Sequence, residues 1–212
     1  MFSIQRSIAS SVGSSSGSSR SIDTIGSVAS SDTDDYTRHP LNDEWSLWYL
    51  QNDRTKSWED MQTKVTSFRT VEDFWCLHNH VLGPSGLGDM NDYSLFKNNI
   101  RPMWEDIANK YGGRWVLTLG RHQRRSDLDS MWLDTILYVI GGTSRHSEEI
   151  NGIVVNVRSR GDKISLWTAD CHNKSAINGI GNEFKKYLGT DARIVYEMHN
   201  ANSKSSKPLV VL

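Results

Sequence analysis

The fold is decided by residues 150–168, whose sequence is INGIVVNVRSRGDKISLWT. Two runs rich in β-branched and apolar residues, 150–158 and 163–168, flank the tetrapeptide Ser-Arg-Gly-Asp at 159–162. Alternating segments joined by a short turn that contains glycine are typical of a β-hairpin. The segment therefore predicts two antiparallel strands with basic residues at the turn that connects them.

The pattern of paired strands continues on both sides of this hairpin. Further strands are predicted at 45–51, 64–68, 93–97, 114–119, 193–197 and 209–212, and helices at 70–80, 126–140 and 173–188. Thr70 is a predicted N-cap, and the run from Ser126 to Asp129 resembles a capping box. Strand pairs with only three helices predict an α+β fold, in which an antiparallel sheet carries helices on one face and leaves the other face open.

Composition separates a serine-rich N-terminal tail, residues 1–35, from a folded domain, residues 36–212. Serine and glycine dominate the tail, and such a segment buries too little apolar surface to offset the entropy lost on ordering. We therefore predict that the tail is disordered. Arg6 and Arg20 among the serines also suggest a mitochondrial transit peptide, although apolar residues are too sparse there for an amphipathic helix.

Charge and cysteine content exclude several classes of protein. A formal net charge of -1 gives no global attraction for nucleic acid, so any polyanion site requires a local basic patch. Cys76 and Cys171 form no CxxC motif, which argues against a disulfide framework or a cysteine-rich zinc site. No apolar run approaches the roughly 20 residues that cross a bilayer, so no membrane partner is predicted.

Trp104 and Glu105 form the pair with the clearest chemistry. An indole stacks on a purine, and an adjacent carboxylate accepts from the N1–H and N2–H groups of guanine. Trp58 lies in a polar stretch where no apolar periodicity favours burial. The ordinary alternative for each ring is core packing. Together the three residues predict a slot for a cationic guanine nucleotide.

Other residues suggest contacts around such a slot. Arg114, Arg158, Arg160 and Lys163 are phosphate candidates, with solvated strand ends as the alternative. The run Arg121, Arg124 and Arg125 is followed by acids and is interpreted as a charge-balanced helix start. Trp75 lies beside Phe74 and Leu77, which can face the core, so its ring is a candidate anchor for a protein partner.

Enzymatic signatures are poor. The chain has no P-loop, GxSxG or HExxH motif. Cys171 and His172 are adjacent, but one cysteine and one histidine do not make a zinc site, and a nucleophile pair has no further support. We predict no enzymatic activity, no cofactor and no metal.

From about His39 to the C-terminus, the chain resembles the eukaryotic translation initiation factor 4E family, which binds the 7-methylguanosine cap of mRNA. The stretches that carry the resemblance are 39–41 (HPL), 70–75 (TVEDFW), 92–97 (DYSLFK), 102–105 (PMWE), 112–115 (GGRW), 124–129 (RRSDLD), 154–158 (VVNVR) and 161–163 (GDK). Their number and order leave little room for chance.

The resemblance implies a curved, mainly antiparallel eight-stranded sheet, shaped like a cupped hand, with three helices on its convex face. The cap-binding positions that it implies are Trp58, Trp104, Glu105, Arg114, Arg158, Lys163, Trp167 and Lys204. Trp58 and Trp104 match the rings that sandwich the base, and Glu105 matches the acid. Trp167 matches a contact to the N7 methyl, Arg158 and Lys163 match direct phosphate ligands, and Arg114 matches a position that acts through water.

A second, convex surface is implied for initiation factor 4G and for the 4E-binding repressor proteins. Its positions are His39, Pro40, Val71, Trp75, Leu133, Asp134 and Leu137. Asp134 departs from the usual glutamate and reaches one methylene less far. Gly120-Arg121 also departs from the family, and the C-terminal loop at 200–207 diverges while retaining Lys204 and two candidate regulatory serines, Ser205 and Ser206.

The resemblance leaves four functional alternatives. The first is a cytoplasmic cap-binding factor, with a possible nuclear or granule pool, that recruits the translation machinery through 4G. The second is a cap-binding repressor or paralogue that engages 4G poorly. The third is a cap-hydrolysing or cap-modifying enzyme, which would need an acid cluster or base near the phosphates. The fourth is a general single-strand RNA binder, which would not prefer the methylated base.

Overall fold

Eight strands form one curved sheet in the residues that a computed structural model describes, which are 37–53, 55–199 and 208–212. The strands are β1 (Pro40–Leu50), β2 (Gln62–Thr70), β3 (Asp92–Lys97), β4 (Gly113–Leu119), β5 (Ile150–Asn156), β6 (Asp162–Thr168), β7 (Ile194–Met198) and β8 (Val210–Val211). Their spatial order is β2-β1-β3-β5-β6-β4-β7-β8, and every neighbouring pair is antiparallel. The predicted hairpin is confirmed as the central β5–β6 pair. The predicted tail at 1–35 lies outside the described residues.

In the part of the chain that the structure describes, three helices of ten or more residues pack on one face of the sheet. They are α2 (Val71–His80), α3 (Leu128–Ile140) and α4 (Lys174–Tyr187), while a single short turn of helix, α1 (Trp58–Met61), joins β1 to β2. The predicted α+β arrangement is therefore confirmed. Within the described ranges, no helix is both long enough and apolar enough to span a bilayer.

Strand alternation divides the residues between the two faces of the sheet. Trp115, Leu117 and Leu119 of β4 are buried beneath the helices. Because successive side chains of a strand point to opposite faces, Arg114 projects to the other, concave face. The same alternation buries Leu166 of β6 in the core and leaves Trp167 on the concave side.

Helix α4 approaches the sheet closely at Gly181. A Cβ at this position would overlap the Trp115 indole, so only glycine fits without a shift of the helix. The Trp115 indole N–H donates to the Ile177 carbonyl at 3.0 Å in the buried contact. This bond satisfies the one polar atom of a ring that lies wholly inside the core.

The two predicted helix starts have different outcomes. Thr70 is confirmed as the N-cap of α2, since its hydroxyl accepts from the Asp73 backbone N–H at 3.2 Å. The capping box predicted from Ser126 is wrong, because α3 begins at Leu128 and its N-cap makes no side-chain hydrogen bond. The Asp129 carboxylate instead accepts from the backbone N–H and hydroxyl of Ser85, at 2.7 and 2.6 Å. The Asp129 carboxylate, which the sequence pattern assigned to the N-terminus of α3, therefore takes part in a tertiary contact instead.

Candidate functional site

A cavity of about 260 Å³ opens on the concave face of the sheet. Its lining includes three of the predicted site residues, Trp104, Arg114 and Trp167, together with Asp92 and Asn156. Aromatic, cationic and acidic groups therefore meet in one pocket. This composition suits a ligand with a flat ring at one end and charge at the other.

A polar network, rather than burial, holds the segment that presents Trp104. The fully buried Asn109 donates from its side-chain amide to the carbonyls of Arg101 and Met103, at 3.0 and 2.9 Å. Asn151 of β5 donates to the Asn109 side-chain oxygen at 3.0 Å, which ties the segment to the sheet. Trp104 itself is 51% exposed. An exposed indole on a rigid turn can stack on a ligand without first reordering the chain.

The second predicted stacking ring, Trp58, begins α1, but its side chain lies outside the described residues. Glu105 is exposed next to Trp104. Lys204, Ser205 and Ser206 also lie outside the described ranges. The sandwich and the contact from Lys204 therefore stay predictions.

Trp167 forms the floor of the pocket. It meets Phe96 edge-on, with ring centroids 5.4 Å apart, and Gly152 pairs with both residues. A Cβ at Gly152 would lie 2.5 Å from Phe96 Cγ, so the aromatic floor requires glycine there.

A histidine that sequence reasoning did not single out lies against this floor. The centroid of the His199 ring is 4.1 Å from that of Trp167. Burial, with a smaller contribution from nearby Arg114, lowers the pKa of His199 to about 4. The imidazole is consequently neutral at physiological pH and adds no positive charge beneath the pocket.

Two of the predicted phosphate ligands are paired with carboxylates. Both terminal nitrogens of Arg158 donate to Asp92, with 3.0 Å between Nη2 and Oδ2. Arg114 donates from Nε and Nη2 to Glu197 Oε2, at 3.3 and 3.0 Å. Lys163 is exposed and makes no salt bridge with the described residues. Of these three cations Arg114 lines the pocket, and Arg158 is tied to it through Asp92, which also lines it.

Arg124, which precedes α3 in the chain, holds the turn of the β5–β6 hairpin in place through hydrogen bonds. Its guanidinium donates to both oxygens of the fully buried Asp162, at 2.9 and 2.8 Å, and to the Arg158 carbonyl at 2.6 Å. Asp162 also accepts from the Arg158 backbone N–H at 2.9 Å. The interpretation of Arg124 as part of a charge-balanced helix start is wrong, because the residue reaches across to the hairpin. The Asp162 charge is likewise compensated internally.

The opposite face of the domain carries the predicted partner surface. Trp75 is 38% exposed while Phe74 is buried, as predicted from their positions on α2. The surface continues to His39, whose imidazole and backbone N–H contact the Glu72 carboxylate, at 2.6 Å from Nδ1. These hydrogen bonds lower the pKa of Glu72 to about 2, with the His39 side chain as the main cause.

Helix α3 supplies the rest of this surface. Leu133 and Leu137 are half-buried at helical spacing, and Asp134 between them is exposed. Pro40 is exposed at the start of β1, and Val71, half-buried at the start of α2, donates its backbone N–H to the His39 carbonyl at 2.9 Å. The seven predicted partner residues therefore lie on α2, on α3, or at the start of β1 next to α2.

The cysteine–histidine pair offers no activated nucleophile. Cys171 is buried, and burial together with Asp170 raises the pKa of its thiol. Potential ligand atoms of Asp170, Cys171 and His172 lie within 4.8 Å of one another. A raised thiol pKa disfavours the thiolate that both nucleophilic attack and metal ligation require.

Comparison with known proteins decides the family. The model of the family described as eukaryotic initiation factor 4E matches residues 40–210. The chain belongs to this family. Its members are translation initiation factors rather than enzymes, in agreement with the prediction of a binding protein.

Individual relatives of the 4E family agree with this assignment. Eukaryotic translation initiation factor 4E1 of Drosophila melanogaster is 52% identical over 169 residues, which are 79% of this chain and 65% of that protein. Eukaryotic translation initiation factor 4E of Homo sapiens is 48% identical over 167 residues, 77% of each chain. The chain thus spans slightly less than two thirds of the fly protein and more of the human one.

Solved 4E structures share the fold of this chain. The complex of Ascaris suum eIF4E-3 with an m7G cap has a TM-score of 0.80 at 44% identity, covering 83% of this chain and 98% of that one. The complex of C. elegans eIF4E-3 with the 4E-binding protein Mextli and a cap analog has a TM-score of 0.76 at 42% identity, covering 83% and 100%. The predicted cupped eight-stranded sheet with three helices is therefore confirmed.

Four residues in or around the concave pocket were not predicted as site residues from the sequence: Asp92, Arg124, Glu197 and His199. The two acids pair with arginines 66 and 83 positions away, and no local pattern reveals such partners. The only available signal was strand alternation, which places Asp92 and Glu197 on the concave face. Strand alternation predicts which face of the sheet a side chain occupies, but it does not predict which residue the side chain pairs with.

Proposed function

We propose that this protein binds the 7-methylguanosine cap of mRNA on its concave face and recruits the translation initiation machinery through initiation factor 4G on its convex face. The observation that carries the proposal is the half-exposed Trp104 indole beside a pocket that also contains Trp167 and Arg114. Membership of the 4E family supports the same reading. A location in the cytoplasm follows from such a role.

The base would be held between the Trp58 and Trp104 rings. Methylation at N7 makes the base cationic, which adds a cation–π attraction of about 2 kcal/mol in a desolvated slot. The same charge makes N1–H a better donor, so its hydrogen bond to Glu105 strengthens. The neutral His199 beneath Trp167 avoids repulsion of the cationic base.

The phosphates would extend toward the hairpin turn. Arg158 offers a guanidinium oriented by Asp92, Lys163 adds a free ammonium, and Arg114 lines the pocket. Guanidinium groups bind phosphate oxygens in bidentate fashion. Lys204 is a further proposed phosphate contact in the C-terminal loop.

The convex surface would receive an amphipathic helix of 4G or of a 4E-binding repressor. Trp75 supplies an exposed aromatic anchor, and Leu133 and Leu137 supply apolar contacts, as helix-in-groove recognition requires. Solved relatives include complexes with Mextli and with 4E-BP. The alternative of a repressor paralogue rests on the unusual N-terminal tail and on Asp134, whose shorter side chain would weaken contact with 4G.

A trimethylated cap is a second candidate ligand. Ascaris suum eIF4E-3 was solved with an m2,2,7G cap as well as with m7G, at 45% and 44% identity to this chain. Two N2 methyl groups remove a donor to the carboxylate but retain the cationic base. Stacking would then carry a larger share of the affinity.

Two substitutions on opposite faces test both halves of the proposal. Trp75→Ala should weaken binding of a 4G-derived helical peptide by roughly 2 kcal/mol or more and leave 7-methyl-GTP affinity unchanged. Glu105→Gln should weaken the nucleotide and spare the peptide. Calorimetric titration of both variants with both ligands provides the measurement. Equal loss of both activities in either variant would contradict two separate surfaces.

A further inference from the structure

Arg114 shares a row across the concave face with an aromatic ring and an acid. It pairs with Trp167 of β6 on one side and with Glu197 of β7 on the other. Their chain neighbours Trp115 and Tyr196 are fully buried on the helical side, so Arg114 and Glu197 both project into the concave face. An acid therefore lies one strand away from the arginine that lines the pocket.

The contact between the two side chains is one-sided. Glu197 Oε2 accepts from both Nε and Nη2 of Arg114, at 3.3 and 3.0 Å. About a third of each side chain remains exposed, 37% for Arg114 and 39% for Glu197. Glu197 therefore engages one edge of the guanidinium while leaving the pair open to solvent and to an incoming anion.

This arrangement affects how phosphate groups are bound. A phosphate that approaches Arg114 meets a guanidinium whose Nε and Nη2 already donate to Glu197, and it is repelled by the carboxylate charge. Glu197 does not line the pocket that contains Trp104, on which the base is proposed to stack. Its influence should consequently fall on the phosphate chain rather than on the methylated base.

We propose that Glu197 is a specificity-determining residue that restrains Arg114 and reduces the affinity contributed by the cap phosphates, so that recognition depends more strongly on the base. This inference rests on the proposed cap-binding function. Glu197 would weaken phosphate binding, whereas the cations around it would strengthen phosphate binding.

A series of ligands with increasing phosphate number tests the role of Glu197. The full chain and its Glu197→Gln variant are titrated with 7-methylguanosine and with its mono-, di- and triphosphates. The variant should bind the triphosphate roughly threefold more tightly, as expected for release of a partly exposed ion pair. Its affinity for the nucleoside should equal that of the wild type. The affinity of the variant should also fall more steeply with salt, because the freed guanidinium attracts phosphate more strongly.

Glu183→Gln is the matched control. Glu183 on α4 is also paired with an arginine, Arg145, at 3.0 Å, and its loss changes the net charge equally. It lies on a helix of the convex face, so the phosphate series should be the same as for the wild type. A gain in both variants would show a general charge effect and would overturn the proposal.

A double-mutant cycle with Arg114→Gln tests whether the effect passes through Arg114. Removing Glu197 should strengthen triphosphate binding less when Arg114 is already absent. Unchanged or weaker triphosphate binding by a folded Glu197→Gln variant would overturn the inference, as would weaker nucleoside binding. A wild type that does not prefer 7-methylguanosine to guanosine would instead refute the proposed function, and the role of Glu197 with it.

Discussion

Replacing Trp104 with alanine is expected to lower the affinity for 7-methyl-GTP by about a hundredfold or more. The estimate combines loss of base stacking, roughly 1–3 kcal/mol, with loss of a cation–π term of about 2 kcal/mol. Stability should change little, because the indole is 51% exposed and the segment is held by Asn109. Calorimetric titration with thermal unfolding of the same samples measures both quantities.

Tyr111→Ala is the control for Trp104. Tyr111 follows on the same segment and is 63% exposed, but it does not line the concave pocket. Its removal should leave nucleotide affinity unchanged. A similar loss in both variants would mean that the segment was disturbed, and unfolding of Trp104→Ala would mean that the ring is structural.

Asp162→Asn is expected to produce the largest loss of stability, roughly 3 kcal/mol in the free energy of unfolding. Asp162 is fully buried and compensates Arg124, and it also accepts from the Arg158 backbone. Its neutral replacement leaves the guanidinium without its buried counter-charge. Because the same contacts orient the hairpin turn, affinity for 7-methyl-GTP should fall as well. Urea unfolding followed by fluorescence measures the stability change.

Asp89→Asn is the control for Asp162. It tests whether the burial of Asp162, rather than the loss of any negative charge beside Arg124, causes the destabilisation. Asp89 contacts the same arginine at 3.0 Å, but its side chain is 49% exposed. Exposed ion pairs contribute about 1 kcal/mol or less, so this variant should unfold close to the wild type. Equal destabilisation by the two substitutions would contradict the claim that the buried Asp162 stabilises the fold more than the exposed Asp89.

The fold was predictable because its signals are local. Alternation around Trp115 and Leu166 gives strands with one buried face, and helical spacing from Leu128 to Val139 gives α3. Glycine in the turn of residues 159–162 marks the hairpin. The helix start at Ser126 failed for a physical reason, since the Ser85 loop claims the Asp129 carboxylate. Such a tertiary contact cannot be recognised from the sequence of the segment alone.

The binding site was predictable in part. Trp104 and Glu105 are adjacent, so their joint chemistry is visible in the sequence, and Trp75 stands out beside the core residue Phe74. The partners of Arg114 and Arg158 are remote in sequence and become apparent only when the strands are aligned. The same holds for His199, whose ring contact with Trp167 depends on where β7 ends. The stacking role of Trp58 and the phosphate contact of Lys204 remain predictions.

Titration with 7-methyl-GTP and with GTP, followed by quenching of tryptophan fluorescence, tests cap recognition most directly. The cation–π attraction of about 2 kcal/mol corresponds to roughly a thirtyfold preference for the methylated nucleotide, before any gain from Glu105. We therefore expect strong quenching by 7-methyl-GTP and binding of GTP at least that much weaker. Equal affinity for the two nucleotides, or no quenching by either, would contradict a cap-binding slot at Trp104.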